Sequence, residues 1–396
     1  MNRLTILFSC YMMMFTAPVT AQKKPVPFVQ NWEVAATIPA VEGQAKALGV
    51  AGPVAGFHNG VVIVAGGANF PGKMPWEGGA KKYYDEVFVY NIVHNQLLLL
   101  KTTFKLREPV AYAASVSTTF GIVYAGGENK NGMCNGVVLL QWDPVLQTVI
   151  LKELPSLPFG VTNASISTYK DGLYLAGGET SNGVSNQFYF LQLGDTTSGW
   201  KELPCVPIPL SHAVMMAQSN DLQECIYLVG GRRKNSNGIS TIYDQVFQFD
   251  IKKKVWSKKA SLPYALSAGT GIAPGDGSLL LFGGDKAETF SKVETLIAAI
   301  DTEKEEERRK ELIIKKNSLQ LNHPGFSRQV LAYDIMKDKW LQQGKIPFDV
   351  PVTTTAFLLK DRVFIVSGEI KAGVRTPQIV SGKLKEQVPA LIENKQ

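Results

Sequence analysis

The chain has 396 residues, 45% apolar and 19% charged, a composition that excludes a disordered protein and suits one large domain or two medium ones. Its net charge of +7 comes from 41 basic and 34 acidic residues with no basic stripe interleaved with stacking aromatics, which argues against nucleic-acid binding. Glycine is frequent, at 36 residues, but follows no Gly-X-Y period, so collagen is excluded and many turns between short strands are expected.

Residues 1–21 read as a secretory signal peptide. Arg3 supplies a positive start, Leu4 to Val19 run apolar, and Val19-Thr20-Ala21 fits a cleavage before Gln22. The run is short for a membrane span, and no later stretch of about 20 apolar residues exists. A lipid anchor at Cys10 is the less favoured reading, because it would cut the apolar run too early. The mature chain keeps Cys134, Cys205 and Cys225, whose spacings match no metal pattern and which are expected as buried packing residues. His58, His94, His212 and His323 are scattered and form no ligand set, so no dedicated catalytic metal is expected.

From residue 22 onward the chain repeats. Five apolar runs end in a glycine pair: Val61 to Gly67, Ile122 to Gly127, Leu173 to Gly178, Ile226 to Gly231 and Leu279 to Gly284. A sixth, Val363 to Gly368, has serine in place of the first glycine. A unit of roughly 50 residues fits one four-stranded propeller blade and exceeds a leucine-rich or ankyrin repeat. Each glycine pair is followed by a polar loop and another strand. Later in the unit comes a tryptophan strand leading to Leu-Pro or Ile-Pro: Trp200 to Pro204, Trp256 to Pro263, Trp340 to Pro347. These are the marks of kelch repeats, and they predict an all-β, six-bladed β-propeller over residues 22–396. The last unit lacks a tryptophan strand, and the N-terminal segment Asn31-Trp32-Glu33-Val34 lacks a blade. The N-terminal strand is therefore expected to complete the last blade, which removes open sheet edges.

One step between units is long. The insertion runs over about 286–328 and contains Asp301 to Lys316, with six acids and six bases. Glu305–Arg309, Glu306–Lys310 and Glu311–Lys315 fall at i,i+4 with the acid first, which favours a helix. A solvated decorating helix is the first expectation and a lid over one face of the ring the second.

Loops that follow these inner strands gather at one mouth of a propeller, so the residues just after the glycines are candidates for a shared pocket. They include Asn69 and Phe70, Glu128, Glu179, Arg232, Asp285 and Glu369. Converging carboxylates and cations suit a polar, anionic ligand such as an acidic sugar; the competing reading is that these side chains only satisfy turns. Gly368 to Thr376 is more specific, placing Glu369 and Arg375 six residues apart around a glycine turn. A glutamate there suits general acid–base work, and an arginine suits bidentate grip of a carboxylate.

At these residues the chain resembles the bacterial N-acetylneuraminate epimerases, or sialate mutarotases, in their cyclically permuted branch. The resemblance covers nearly all of the mature chain. It rests on Gly368 to Thr376, on Ala65 to Gly72 continuing through Trp76-Glu77-Gly78-Gly79 to Lys81-Lys82, on Tyr124 to Glu128, and on the insertion within one blade. It implies a periplasmic isomerase that interconverts the anomers of sialic acid without a cofactor. Glu369 and Arg375 would be the catalytic pair, and Asn69, Lys82, Glu128 and Arg232 substrate contacts. Val110 and Leu210 stand where the family carries arginine, a departure that affects sugar contacts. The alternative is a non-catalytic kelch propeller that binds a glycan or a protein. A sialidase would show S-x-D-x-G-x-x-W boxes, which the sequence lacks.

Overall fold

Each apolar run that closes on a glycine pair, or on Ser367-Gly368, forms the second strand of an antiparallel sheet, and six such sheets stand around one axis as the blades of a propeller. The computed structural model describes residues 26–385 apart from positions 42 and 95, so residues 1–21, expected as a signal peptide, and Cys10 among them lie outside the described residues. From the axis outward, blade 1 runs through Val54–His58, Val61–Ala65, Glu86–Val93 and Gln96–Leu99, with Phe104–Lys105 also pairing the third strand. Blade 2 is Ala114–Thr118, Gly121–Ala125, Val137–Asp143 and Thr148–Leu154, and blade 3 is Ser165–Tyr169, Gly172–Ala176, Phe188–Gln192 and Lys201–Leu203. Blade 4 is Val214–Ser219, Glu224–Val229, Val246–Asp250 and Val255–Lys259. Blade 5 is Thr270–Ile272, Ser278–Phe282, Gln329–Asp334 and Lys339–Lys345. Blade 6 takes Ala356–Leu359, Arg362–Val366 and Gln378–Lys385 from the C-terminal part of the chain and Phe28–Thr37 from the N-terminal part.

That last pairing runs from Phe28 against Lys385 to Thr37 against Gln378, so sheet hydrogen bonds tie the two ends of the chain together. Arg362 pairs with Glu33 across the seam, and Trp32 sets its edge on Phe282 of blade 5 with ring centroids 5.8 Å apart.

The glycine-terminated strands are second from the axis, not first. They are buried on both faces and so read as unbroken apolar runs. The innermost strands face the central shaft with Ser115, Ser117, Ser165, Ser167, Thr270 and Thr355. Serines interrupt the innermost strands of blades 2 and 3, whereas those of blades 4 and 6 carry apolar runs, Val214-Met215-Met216-Ala217 and Ala356-Phe357-Leu358-Leu359, that end on no glycine pair and so stand out less in the sequence. Apolar packing falls between blades: Ile63 and Val89 of blade 1 meet Ile122 and Leu140 of blade 2, and five comparable clusters fill the other seams. The tryptophans lock the same seams. Trp200 donates to Pro155 O at 2.8 Å, Trp256 to Pro204 O at 2.8 Å and Trp340 to Ala260 O at 3.0 Å, each on the preceding blade.

The glycine pair has a steric reason. Gly177 has φ +65, and a Cβ there would sit 2.2 Å from Leu210 O of the next blade. The following N–H, from Gly178, donates to that same carbonyl at 2.9 Å. Blade 6 solves the position differently: Ser367 takes φ 51, and its hydroxyl lies 2.6 Å from Thr376 O while accepting from Val50 N at 3.0 Å. Val110 and Leu210, where the resemblance leads one to expect arginine, are buried in these seams.

A second six-fold element closes the mouth. Gly52, Tyr112, Asn163, His212, Ala268 and Thr353 precede the innermost strands and all adopt φ between 49 and 61. The N–H of each donates to the carbonyl of its counterpart one blade back, at 2.7–3.1 Å, in a closed circuit from blade 1 to blade 6 and round again. Left-handed backbone costs a non-glycine residue roughly 1 kcal/mol or more. Here it turns six N–H and six C=O groups into a ring across the axis and aims the side chains of Tyr112, Asn163 and His212 at the mouth.

Two cysteines depart from expectation. Cys225 is buried in the seam between blades 4 and 5, whereas Cys134 is only half-buried and Cys205 exposed; all three are free thiols. Both exceptions sit in loops rather than in strands.

Candidate active site

Along the axis a cavity of about 400 Å³ opens among the post-glycine loops, a neck of about 90 Å³ lies at the hydrogen-bonded ring, and a shaft of about 360 Å³ runs between the innermost strands. The first lies within the size range of small-molecule sites. Its convergence is built in: Glu128, Glu179, Arg232, Asp285 and Glu369 each form an isolated bridge to the residue just before a ring residue, so all five project over the ring. Blade 1 has Ala68 at that position, and Phe70 lines the cavity instead.

At blade 6, Glu369 accepts the Gly373 N–H on Oε1 at 2.9 Å, and its Oε2 lies 3.5 Å from Arg375 Nη2. The short hairpin Glu369–Lys371/Val374–Arg375 pairs Glu369 directly with Arg375, which explains the spacing in the sequence. The Arg375 side chain is 4% exposed and its guanidinium lies 4.9 Å from the Phe70 ring. Among the described residues its Nε and Nη1 have no hydrogen-bond partner. A buried guanidinium with unmatched donors at a cavity wall is a strong site for a ligand carboxylate. Tyr112 lies beside it; burial pushes the phenol pKa up, and the Arg375 and Lys81 cations partly oppose that.

Glu128 is already engaged, accepting from Lys81 Nζ at 2.8 Å and Tyr83 OH at 2.7 Å. Burial works against the Lys81 ammonium, but Tyr112 and Glu128 outweigh it and hold the pKa above the usual lysine value. Burial raises the Asp285 carboxyl above the usual range, against the Ala287 N–H that it accepts at 2.7 Å and the nearby His323 and Arg232.

Across the axis, Arg232 Nη2 lies 3.1 Å from His212 Nε2 and 4.0 Å from Glu179 Oε1. His212 Nδ1 lies 2.9 Å from Ser211 Oγ, which donates to Glu179 Oε1 at 3.1 Å. Burial holds the His212 imidazole well below its ordinary pKa, and Arg232 adds to the effect, so the ring is neutral at neutral pH. In the unfolded chain the same histidine takes up its proton near pH 6.5. The unfolded state therefore binds more protons below about pH 6.5, and stability falls as pH falls through that window. Urea midpoints at pH 7.5 and 5.5 should drop in the wild type and drop less in His212→Gln.

The insertion is a wall of this cavity. It folds as two helices, α1 (Glu288–Thr302) and α2 (Glu306–Leu321), rather than one decorating helix, with the break inside the charged stretch at Glu303-Lys304-Glu305. Helix α2 buries no residue and carries the Glu306–Lys310 ion pair at 3.0 Å, as the charge pattern predicts. Helix α1 contributes Thr289, Phe290 and Val293 to the cavity, the last turn of α2 adds Gln320, and the segment after α2 adds His323 and Phe326. The buried Glu294 latches α1 to blade 4, accepting from Ser240 N at 2.7 Å and Ser240 Oγ at 2.9 Å. Glu294→Ala strands both donors and should cost about 1–3 kcal/mol in chemical denaturation. It should also weaken binding to the cavity, read as a raised KM.

Of the residues singled out from the sequence, Glu369, Arg375, Glu128 and Arg232 line one cavity. Asn69 and Lys82 stand outside that lining. Asn69 is 1% exposed and spans Gly49 O at 2.7 Å and Tyr84 OH at 2.7 Å, so it pins a loop. Lys82 Nζ sits 5.3 Å from the Tyr84 ring, while its neighbour Lys81 faces the cavity. Tyr112, His212, His323 and Phe290 were not singled out as site residues. Tyr112 and His212 do carry a signal, since each follows an apolar–small pair, Val110-Ala111 and Leu210-Ser211, one unit apart from its counterparts.

The sequence model of one family, described as N-acetylneuraminate epimerase, matches residues 16–149 and 154–393. The chain belongs to that family. A Brucella melitensis protein named N-acetylneuraminate epimerase is 26% identical over 255 residues, 63% of this chain and 64% of the relative. A Haemophilus influenzae (strain 86-028NP) protein of the same name is 25% identical over 232 residues, 58% of this chain and 59% of the relative. A Vibrio cholerae protein named kelch domain-containing protein is 26% identical over 227 residues, 56% of this chain and 61% of the relative. The chain thus spans somewhat less than two thirds of each of these epimerase relatives' length. No helix among the described residues is long and apolar enough to cross a membrane.

Proposed function

We propose that the protein is a sialate mutarotase, interconverting the α and β anomers of N-acetylneuraminic acid. The observation that carries this is the pairing at blade 6: a carboxylate 3.5 Å from a buried guanidinium with two unmatched nitrogens, both facing one sugar-sized cavity. In this sugar the anomeric carbon C2 bears both the carboxylate and the hydroxyl whose configuration changes. A carboxylate gripped by Arg375 therefore brings C2 and the ring oxygen to Glu369.

Glu369 takes the proton of the anomeric hydroxyl. The C2–O electron pair closes to a carbonyl as the bond from C2 to the ring oxygen breaks, and the ring oxygen receives the proton from Glu369. Rotation about C2–C3 exposes the other face of the carbonyl. Closure runs the same steps in reverse, returning the proton to the new anomeric oxygen. Oxidation states do not change, so the balance calls for no cofactor. Arg375 retains the open-chain form by its carboxylate, and Tyr112 and Phe70 flank the guanidinium.

Anomer ratios by proton NMR, followed directly after enzymatic release of the α sugar, test the reading. The wild type should bring α to the equilibrium mixture faster than the spontaneous rate. A wild type that leaves that rate unchanged reduces the protein to a binding module. The leader-like residues 1–21 support export to the periplasm as part of the same proposal, and a mature N-terminus at Gln22 in periplasmic extract is the expected result.

A further inference from the structure

Blades 3 and 4 present to the cavity a second polar cluster on which the steps above do not call. Blade order around the hydrogen-bonded ring puts blade 3 directly across the axis from blade 6. Arg232 reverses the sign at its position, since blades 2, 3, 5 and 6 carry acids there. Its surroundings are ordered by a directional chain. A guanidinium only donates, so His212 Nε2 is the acceptor and Nδ1 carries the hydrogen toward Ser211 Oγ. The Ser211 hydroxyl then donates to Glu179. Every one of these contacts on Glu179 falls on Oε1. Arg232 is also held from above, 4.7 Å from the Phe290 ring of α1.

We infer that Glu179 and Arg232, roofed by Phe290 and Val293 of α1, form a subsite for the polyol side chain and acylamino group of the sugar. The inference rests on the proposed function. With C2 at blade 6, the far side of the pyranose carries the acylamino group on C5, across the ring from C2, and the three-carbon polyol on the adjacent C6. The subsite has the complementary chemistry. Glu179 and Arg232 compensate each other's charge and His212 is neutral, so the cluster offers acceptors and donors to a neutral polar group rather than a site for a second anion. The apolar wall from α1 suits the acyl methyl. Arg375 with its unmatched, buried nitrogens contrasts with Arg232, whose Nη2 is already engaged by His212 and faces Glu179. His212 is a positioning residue that sets Arg232 and Glu179 through its tautomer. The insertion supplies the roof, and the Glu294–Ser240 latch holds it on the blade that carries Arg232.

The test compares the affinity of N-acetylneuraminic acid with that of its analogue cut back to seven carbons, by calorimetric titration of the wild type, Arg232→Gln, Glu179→Gln and Phe290→Ala. The wild type should hold the nine-carbon sugar about tenfold or more tightly than the short one, the scale of one or two charge-assisted hydrogen bonds. In Arg232→Gln and Glu179→Gln the ratio should shrink to within about twofold, whereas Arg375→Met should weaken both sugars alike. Phe290→Ala reads the roof: it should weaken both sugars together, because each keeps the acylamino group. Wild-type indifference to the side chain, or an unchanged ratio in the polar variants, overturns the subsite. If one polar variant fails to fold, the other decides. Anomer exchange by the wild type is measured separately. Its absence would end the mutarotase reading while the affinity ratio still decides the subsite.

Discussion

Glu369→Gln should lower the catalysed rate of anomer exchange by about 10²–10⁴-fold, the range a positioned acid–base group contributes. The substitution isolates chemistry from packing. A carboxamide matches the carboxylate in size and keeps an oxygen for the Gly373 N–H, which Glu369 now accepts at 2.9 Å. It cannot take the proton of the anomeric hydroxyl or return one to the ring oxygen. Arg375 stays in place, so affinity for the sugar should change far less than the rate. Proton NMR of freshly released α sugar reads the rate, and titration reads the affinity. Exchange at the wild-type rate would remove Glu369 as the shuttle. Glu128 and Glu179 would then come next, although both begin with their carboxylates engaged, Glu128 by Lys81 and Tyr83 and Glu179 by Ser211.

The propeller was legible because its signal is periodic and steric. A strand buried on both faces must be apolar throughout, and a Cβ at Gly177 would stand 2.2 Å from the next blade's backbone, so five units advertise themselves by a glycine pair and the sixth by its apolar run and Ser367-Gly368. The Glu369–Arg375 pair was legible because one two-stranded hairpin holds both residues. Other parts of the site depend on side-chain direction, which spacing alone does not give. Asn69 and Phe70 are neighbours, as are Lys81 and Lys82, yet only one of each pair faces the cavity. Tyr112 and His212 are marked in the sequence only by the apolar–small pair before each, since neither residue type announces the left-handed conformation that the circuit of ring hydrogen bonds requires. The insertion misled for a related reason. Its charged half, which dominates the composition, is the solvated α2. Most of the roof comes from α1, whose apolar residues, Phe290, Val293, Leu296, Ile297 and Ile300, are overshadowed in the sequence by the charged stretch that follows them.

Arg375→Met should separate stability from function in the opposite sense to most buried substitutions. The residue is 9% exposed, and two of its nitrogens have no hydrogen-bond partner among the described residues. Its compensation within the protein is Glu369 at 3.5 Å, the face of Phe70 at 4.9 Å and the Tyr112 phenol beside it. Such a cation gains on the order of 0.5–2 kcal/mol from the ring, against a desolvation cost of several kcal/mol. A methionine of similar length fills the same space against Phe70 without that cost. Glu369 loses its cation but keeps the Gly373 N–H and 22% exposure. The denaturant midpoint should therefore hold or rise, while affinity for the sugar should fall by about 100-fold or more, the scale of removing one partner of a buried, hydrogen-bonded charge pair. Arg375→Lys should rescue little of that binding, because an ammonium cannot reproduce the bidentate fork. A loss of stability of about 3 kcal/mol or more in Arg375→Met would mean that the guanidinium serves the fold. Stability retained with binding lost means that the fold tolerates this charge for the sake of a carboxylate from outside.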